Sequence, residues 1–262
     1  MDSAFIIGNG ESRLIFSLKE LQGHGRIYGC NAIYRDHPDL CDVIVSVSLE
    51  MSQEIHQAKR QKLLSHNTEI VDHKKISRWN YVLPDDDETT MPNGADSYRY
   101  WVGSKNKKNE QTKLLRRDFS KNKGSGCSAV LHAAEAGYRD IMIIGFDLLG
   151  ARQWEFQDKE LSREQNNVYK NTPNYPNRHS MKAYHKYEWL YQLTQIFRKF
   201  PKTNFYFINR LEYIIYNNML TTYFSFAPNN IRAGSYANLK KYIERITLIR
   251  WMTFKKNRLI RI

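Results

Sequence analysis

A mostly parallel, doubly wound α/β sheet is the fold that this sequence predicts, and three observations predict it. Short apolar runs recur along the chain and end in glycine, asparagine or serine. Stretches of helical composition separate them. A small-residue block opened by Gly124-Ser125-Gly126 runs directly into another apolar run. Strand, turn, helix, turn, strand in that order is the pattern of parallel sheets covered on both faces.

The elements follow in order. Ala4 to Ile7 reads as a strand closed by Gly8-Asn9-Gly10-Glu11-Ser12, a turn that glycine makes easily. A helix is expected from about Leu14 to Leu21. Arg26 to Cys30 reads as a second strand ending in Asn31, and Val43 to Ser46 as a third ending near Ser48. Residues 53–66 have helical composition, and Ile70–Val71 and Tyr81–Leu83 read as short strands. The block after Gly124 predicts a helix through Ala136, stopped by Gly137, then a buried strand from Ile141 to Ile144 with Gly145 and Asp147 at its carboxyl end. Tyr184, Tyr187, Leu190, Leu193 and Phe197 recur at helical spacing within a helix expected from about Ser180 to Phe200. Phe205 to Ile208 is one more strand, ending at Asn209. The expected organisation is a binding domain over residues 1–214, with lid-like insertions at 84–123 and 150–178, and a basic amphipathic segment over 215–262.

The chain has 262 residues, 41% of them hydrophobic, enough for one large domain around a real core. Cys30, Cys41 and Cys127 stand in no metal-ligand spacing and read as reduced thiols, which points to a reducing, cytoplasmic compartment. No stretch approaches the roughly 20 apolar residues of a membrane span. The net charge of +13 is uneven: residues 105–123 contribute +6 and residues 236–262 contribute +7, so the remainder is neutral. Two basic appendages on a neutral body suggest surfaces for anionic partners. In the second, Leu239, Tyr242, Ile243, Ile246 and Ile249 share a helical stripe, followed by Trp251, Met252 and Phe254 among cations. That pattern fits an interfacial helix in peripheral contact with an anionic membrane, and equally a helix docked on its own core or an oligomer contact.

In a doubly wound sheet the strand ends open on one edge, so Asn9, Asn31, Ser48, Ser125 and Asp147 can converge there. Backbone amides at Gly10 and at the start of the helix after Gly124 are candidate phosphate donors, and asparagine side chains can read a base or ribose. Taken alone, Gly8-Asn9-Gly10 is also what a tight strand-to-helix turn requires.

The combination IIGNGES at 6–12, CNAIY at 30–34, VSL at 47–49, GSGCSAVLHAAEAGYRDIMIIGFD at 124–147 and RHS at 178–180 resembles the family 42 glycosyltransferases, the bacterial Campylobacter-type sialyltransferases. The resemblance touches most of residues 1–200. It implies a Rossmann-like sheet, a GT-A-like variant, and metal-independent inverting transfer of a sugar from a nucleotide donor, CMP-linked sialic acid first among them, to a glycan or glycolipid hydroxyl. It implies no cofactor beyond the donor, with His179 as general base. Asn9, Asn31 and Ser125 would hold the nucleotide, with Ser12 in the same turn and Gly10 and Gly126 permitting close approach. An imidazole of ordinary pKa near ~6.5 can take the acceptor proton at neutral pH; without the resemblance, His179 is a histidine in a polar loop.

The chain departs from the family at two places. Ser46 stands where the family has another asparagine, and after Asp147 the two phosphate-binding tyrosines are missing, leaving Arg152, Tyr169 or Tyr175 as candidates for that role. The glycine-to-aspartate block also resembles pterin pyrophosphokinase-like Rossmann proteins, which would need Mg²⁺ and acidic ligands near Asp147 or Asp85-Asp86-Asp87. The acidic triplet is expected to be a solvated turn and no metal site is expected. A third reading is a non-catalytic protein whose basic segments and aromatic residues bind nucleic acid, the less favoured partner. Oligomeric state is left open.

Overall fold

The computed structural model describes residues 2–47, 49–72, 124–147, 192–211 and 229–245. Within them, seven strands form one fully parallel sheet: β1 (Ser3–Ile7), β2 (Arg26–Cys30), β3 (Val43–Val45), β4 (Glu69–Val71), β5 (Asp140–Ile144), β6 (Asn204–Asn209) and β7 (Ile231–Ser235). Their spatial order is β4-β3-β2-β1-β5-β6-β7. The chain steps outward from β1 to β4, crosses back to β5 beside β1, and steps outward again. The reversal lies between β1 and β5, and parallel sheets of this kind leave a crevice there at the carboxyl ends of the strands.

Side chains alternate across each strand, so each contributes to two cores. On one face Ala4, Ile6, Tyr28, Cys30, Ile141, Ile143, Phe205 and Phe207 pack beneath helices α2 (Ser125–Glu135) and α3 (residues 192–199). On the other, Phe5, Ile7, Ile27, Ile44, Met142, Ile144 and Ile208 pack beneath α1 (Leu49–Arg60) and α4 (residues 236–245). Two covered faces explain why the central strands carry continuous apolar runs. The fold is therefore the Rossmann-like α/β architecture that the sequence predicts.

Two local expectations change. No α-helix spans Leu14 to Leu21; the chain forms two 3₁₀ turns, Glu11–Ile15 and Leu18–Leu21. Leu18 and Leu21 are buried whereas Leu14 and Ile15 are exposed, so the apolar residues share no single helical face. The helix expected at 53–66 runs instead over Leu49–Arg60, and Lys62 takes a left-handed φ of 60° just beyond its end. Gly137, with φ 84°, closes α2 as its position predicts.

The segment expected to be an appendage after residue 214 supplies part of the sheet. β7 pairs with β6 from Phe205↔Ile231 to Asn209↔Ser235. Ser235 and Asn238 then start α4 reciprocally: Asn238 Oδ1 accepts from the Ser235 amide at 2.9 Å, and the Asn238 amide donates to Ser235 Oγ at 3.4 Å. Leu239 and Ile243, on the stripe that fitted either an interfacial helix or one docked on its own core, are buried in the core with Tyr236. Tyr242 packs against that core and donates to Asp140 Oδ2 at 2.9 Å. The rest of the stripe and the cationic residues from 246 on lie outside the described residues, as do both expected insertions and Tyr81–Leu83. Among the described residues no helix is long and apolar enough to cross a membrane. Cys30, Cys41 and Cys127 are buried, and desolvation pushes the Cys30 thiol up to about 12.

Candidate functional site

The turns after β1 and β5 are laced together. The Gly8 amide donates to Ile144 O at 2.7 Å and the Gly10 amide to Gly145 O at 2.9 Å. A side chain at either glycine would collide with this contact: a Cβ at Gly8 would lie 2.5 Å from Gly145 O, and one at Gly10 2.4 Å from Asp147 Oδ2. The Gly10 amide, expected to face a phosphate, is therefore committed to the neighbouring strand. A Cβ at Gly126 would lie 2.7 Å from the Phe146 ring, so the space beside that glycine also belongs to the protein's own packing.

Asp147 joins three segments. Its Oδ2 accepts from the Ser12 amide at 2.7 Å and its Oδ1 from Asn209 Nδ2 at 3.1 Å. Burial raises its pKa above the ordinary carboxylate value, while the bonds from Ser12 and Asn209 and the charge of Arg210 act the other way. Ser12, itself fully buried, also accepts from Tyr236 OH at 3.4 Å. Arg13 braces the same turn from below: Nη1 donates to Asn9 O at 3.1 Å and Gly10 O at 2.9 Å, and Nη2 pairs with Asp36.

The second group gathers at the ends of β2 and β3. Ser125 Oγ donates to Asn31 Oδ1 at 2.6 Å and accepts from the Val47 amide at 3.3 Å. Residues 94 positions apart in the chain thus meet at one rim. Asn31 sits at φ 51°, a left-handed conformation rare outside glycine and asparagine that recurs at binding sites. Ser125 occupies the first turn of α2, where backbone amides are not used by the helix ladder and the dipole favours an anion. Two buried side-chain oxygens at this edge, Asn9 Oδ1 and Ser46 Oγ, have no hydrogen-bond partner among the described residues, which in a native interior calls for a partner such as an ordered water or a ligand.

The structure thus brings Asn9, Gly10, Ser12 and Asp147 into one group and Asn31 and Ser125 into another, both at the carboxyl edge, with Phe146 packed against Gly126 between them. His179, Arg152, Tyr169, Tyr175, Ser48 and Asp85 to Asp87 lie outside the described residues. His132 is partly buried on α2 with its ring 5.7 Å from that of Tyr28. Sequence reasoning did not single out Arg13, Asn209, Arg210 or Tyr236. Only Asn209 carried a usable signal, as the polar residue ending an apolar strand.

No family model and no curated protein matches the sequence. Among solved structures, the chain is similar to a point mutant of the alpha-2,3/8-sialyltransferase CstII, at 14% identity and a TM-score of 0.40, over 87% of this chain and 86% of that one. It is similar over the same shares, at 16% identity and a TM-score of 0.40, to the sialyltransferase CST-II in complex with a trisaccharide acceptor and CMP.

Proposed function

We propose that this chain is a nucleotide-sugar-dependent glycosyltransferase whose donor lies in the crevice between β1 and β5, with a CMP-sugar favoured. The observation that carries the reading is the Asn31–Ser125 contact. It sets a left-handed asparagine, a helix N-terminus and the end of β3 around one rim, and at the same carboxyl edge Asn9 carries a buried carbonyl oxygen with no partner among the described residues. Carboxamides suit a nucleobase or ribose, and a helix start suits phosphate. The sequence motifs that resemble those of the family 42 transferases support the same assignment.

In the proposed reaction an acceptor hydroxyl attacks the anomeric carbon as its proton passes to the His179 imidazole. The bond between that carbon and the phosphate oxygen breaks, inverting the centre, and the nucleotide departs with the bonding pair. Developing charge on the phosphate needs preorganised donors or a cation.

The test is a panel of CMP-, UDP- and GDP-sugars with glycan and glycolipid acceptors, run on the wild type and His179→Ala. The wild type should release nucleotide with one donor class. The variant should lose transfer by roughly 10²–10⁴-fold, the usual contribution of a general base, while donor binding stays within about twofold. Full activity in His179→Ala would remove that residue from the mechanism. Failure of every donor to bind the wild type would remove the reading itself.

A further inference from the structure

Arg210 follows β6 directly, one residue beyond Asn209, and so stands at the same carboxyl edge as Asp147. It lies close enough to Asp147 and Tyr236 for its charge to act on both. Asp147 accepts from the Ser12 amide at Oδ2 and from Asn209 Nδ2 at Oδ1, and among the described residues no hydrogen bond joins it to the Arg210 guanidinium. Among the described residues the Arg210 guanidinium forms no salt bridge, and its Nε is buried without an acceptor; the Arg210 amide alone is engaged, donating to Asn209 Oδ1 at 2.7 Å. A buried guanidinium donor left unpaired is costly, and the geometry of the group suits a bidentate oxyanion.

We propose that Arg210 is an anion-binding residue of the crevice, holding the phosphate of the bound nucleotide and stabilising it as the leaving group. This rests on the reading of the crevice as a nucleotide-sugar site. It fills a requirement that the sequence left open, since the phosphate-binding tyrosines expected after Asp147 are absent. Asn209 fixes the register: its amide holds Asp147 and its carbonyl oxygen holds the Arg210 backbone, so the cation is set beside the β5 turn.

The test is calorimetric titration of the wild type, Arg210→Met and Arg210→Lys with CMP, cytidine and inorganic pyrophosphate. Arg210→Met keeps the apolar stem and removes the charge. CMP affinity should fall ~10-fold or more in that variant, as expected for loss of a charge-assisted pair, and should recover in part in Arg210→Lys. Cytidine, which carries no phosphate, should bind all three proteins alike. Unchanged CMP affinity in Arg210→Met overturns the proposal, and so does an equal loss of cytidine, which would make the residue structural. Pyrophosphate binding that depends on Arg210, in a wild type that ignores CMP, would support the anion site and refute the nucleotide reading. Binding of none of the three by the wild type overturns both. If Arg210→Met does not fold, the comparison of CMP with cytidine in Arg210→Lys and Arg210→Gln decides in the same way.

Discussion

Replacing Arg13 separates the fold of the Asn9 turn from the chemistry of the crevice. Its side chain is 2% exposed, while that of its partner Asp36 is 40% exposed. The ion pair itself is therefore worth little, ~0–1 kcal/mol, because one end is solvated. The weight falls on the two bonds from Nη1 to Asn9 O and Gly10 O. Hydrogen bonds from a charged donor contribute roughly 1.5–3 kcal/mol each, offset in part by release of the guanidinium from burial. Arg13→Met, which keeps most of the stem, should destabilise by about 2–3 kcal/mol. Arg13→Ala also removes buried methylenes at ~0.8 kcal/mol each and should cost about 4–5 kcal/mol. Urea unfolding reads both, the midpoint falling at constant slope. A loss under about 0.5 kcal/mol in Arg13→Met, on the scale of an ordinary surface substitution, would refute the view that this arginine holds the turn.

Gly10→Ala should cost more than about 2 kcal/mol, since its Cβ would meet Asp147 and Gly145 O within 2.6 Å. Gly137→Ala, with open space around it and only a φ of 84° to oppose it, should cost about 1 kcal/mol, and equal losses in the two unfolding curves would count against the contact. Asn31→Gly relieves the left-handed conformation but removes the carboxamide, so stability should stay within about 1 kcal/mol while CMP affinity falls ~10-fold; retained affinity in a titration would exclude Asn31 from the nucleotide site. Burial raises the native pKa of Asp147, so the folded chain keeps its proton to higher pH than the unfolded chain does. Wild-type stability measured against the non-titrating Asp147→Asn should therefore decline as pH rises from the ordinary carboxylate pKa through the native one and then level off, and a difference that grows with pH would reverse the sign of the argument.

The legible part of the fold is the part where burial on both faces forces an unbroken apolar run. β1, β2, β5 and β6 read directly from such runs, and α2 from its small residues between Gly124 and Gly137. β7 could not be read this way. Its sequence Ile231-Arg232-Ala233-Gly234-Ser235 has one large apolar residue, and it belongs to the sheet through backbone pairing at an edge, where solvent tolerates Arg232. The 3₁₀ turns were hidden for the opposite reason: Leu14, Ile15, Leu18 and Leu21 suggest a helical stripe, and only the tertiary structure shows that half of them face water. At the crevice, Asn31 and Ser125 were legible because topology alone sends strand ends to one rim. Arg13 and Arg210 were not, since a single buried cation has no periodicity to announce it.

The glycines at this edge also change which residues should be weighed as evidence of a ligand. Gly8, Gly10 and Gly126 look, in sequence, like positions cleared for a phosphate. In the fold, the space each one clears is filled by Gly145 O, Asp147 and Phe146 respectively. Their absence of a side chain is what lets the β1 and β5 turns cross at the reversal of strand order and lets α2 settle on Phe146. A glycine-rich turn would be required here whether or not anything bound. A left-handed asparagine tied to a helix start, a buried carboxamide oxygen with no donor among the described residues and a guanidinium whose buried Nε has no acceptor among them are not required by that packing. Their presence at the edge where such sheets accept ligands is the physical reason to test for an anionic nucleotide there.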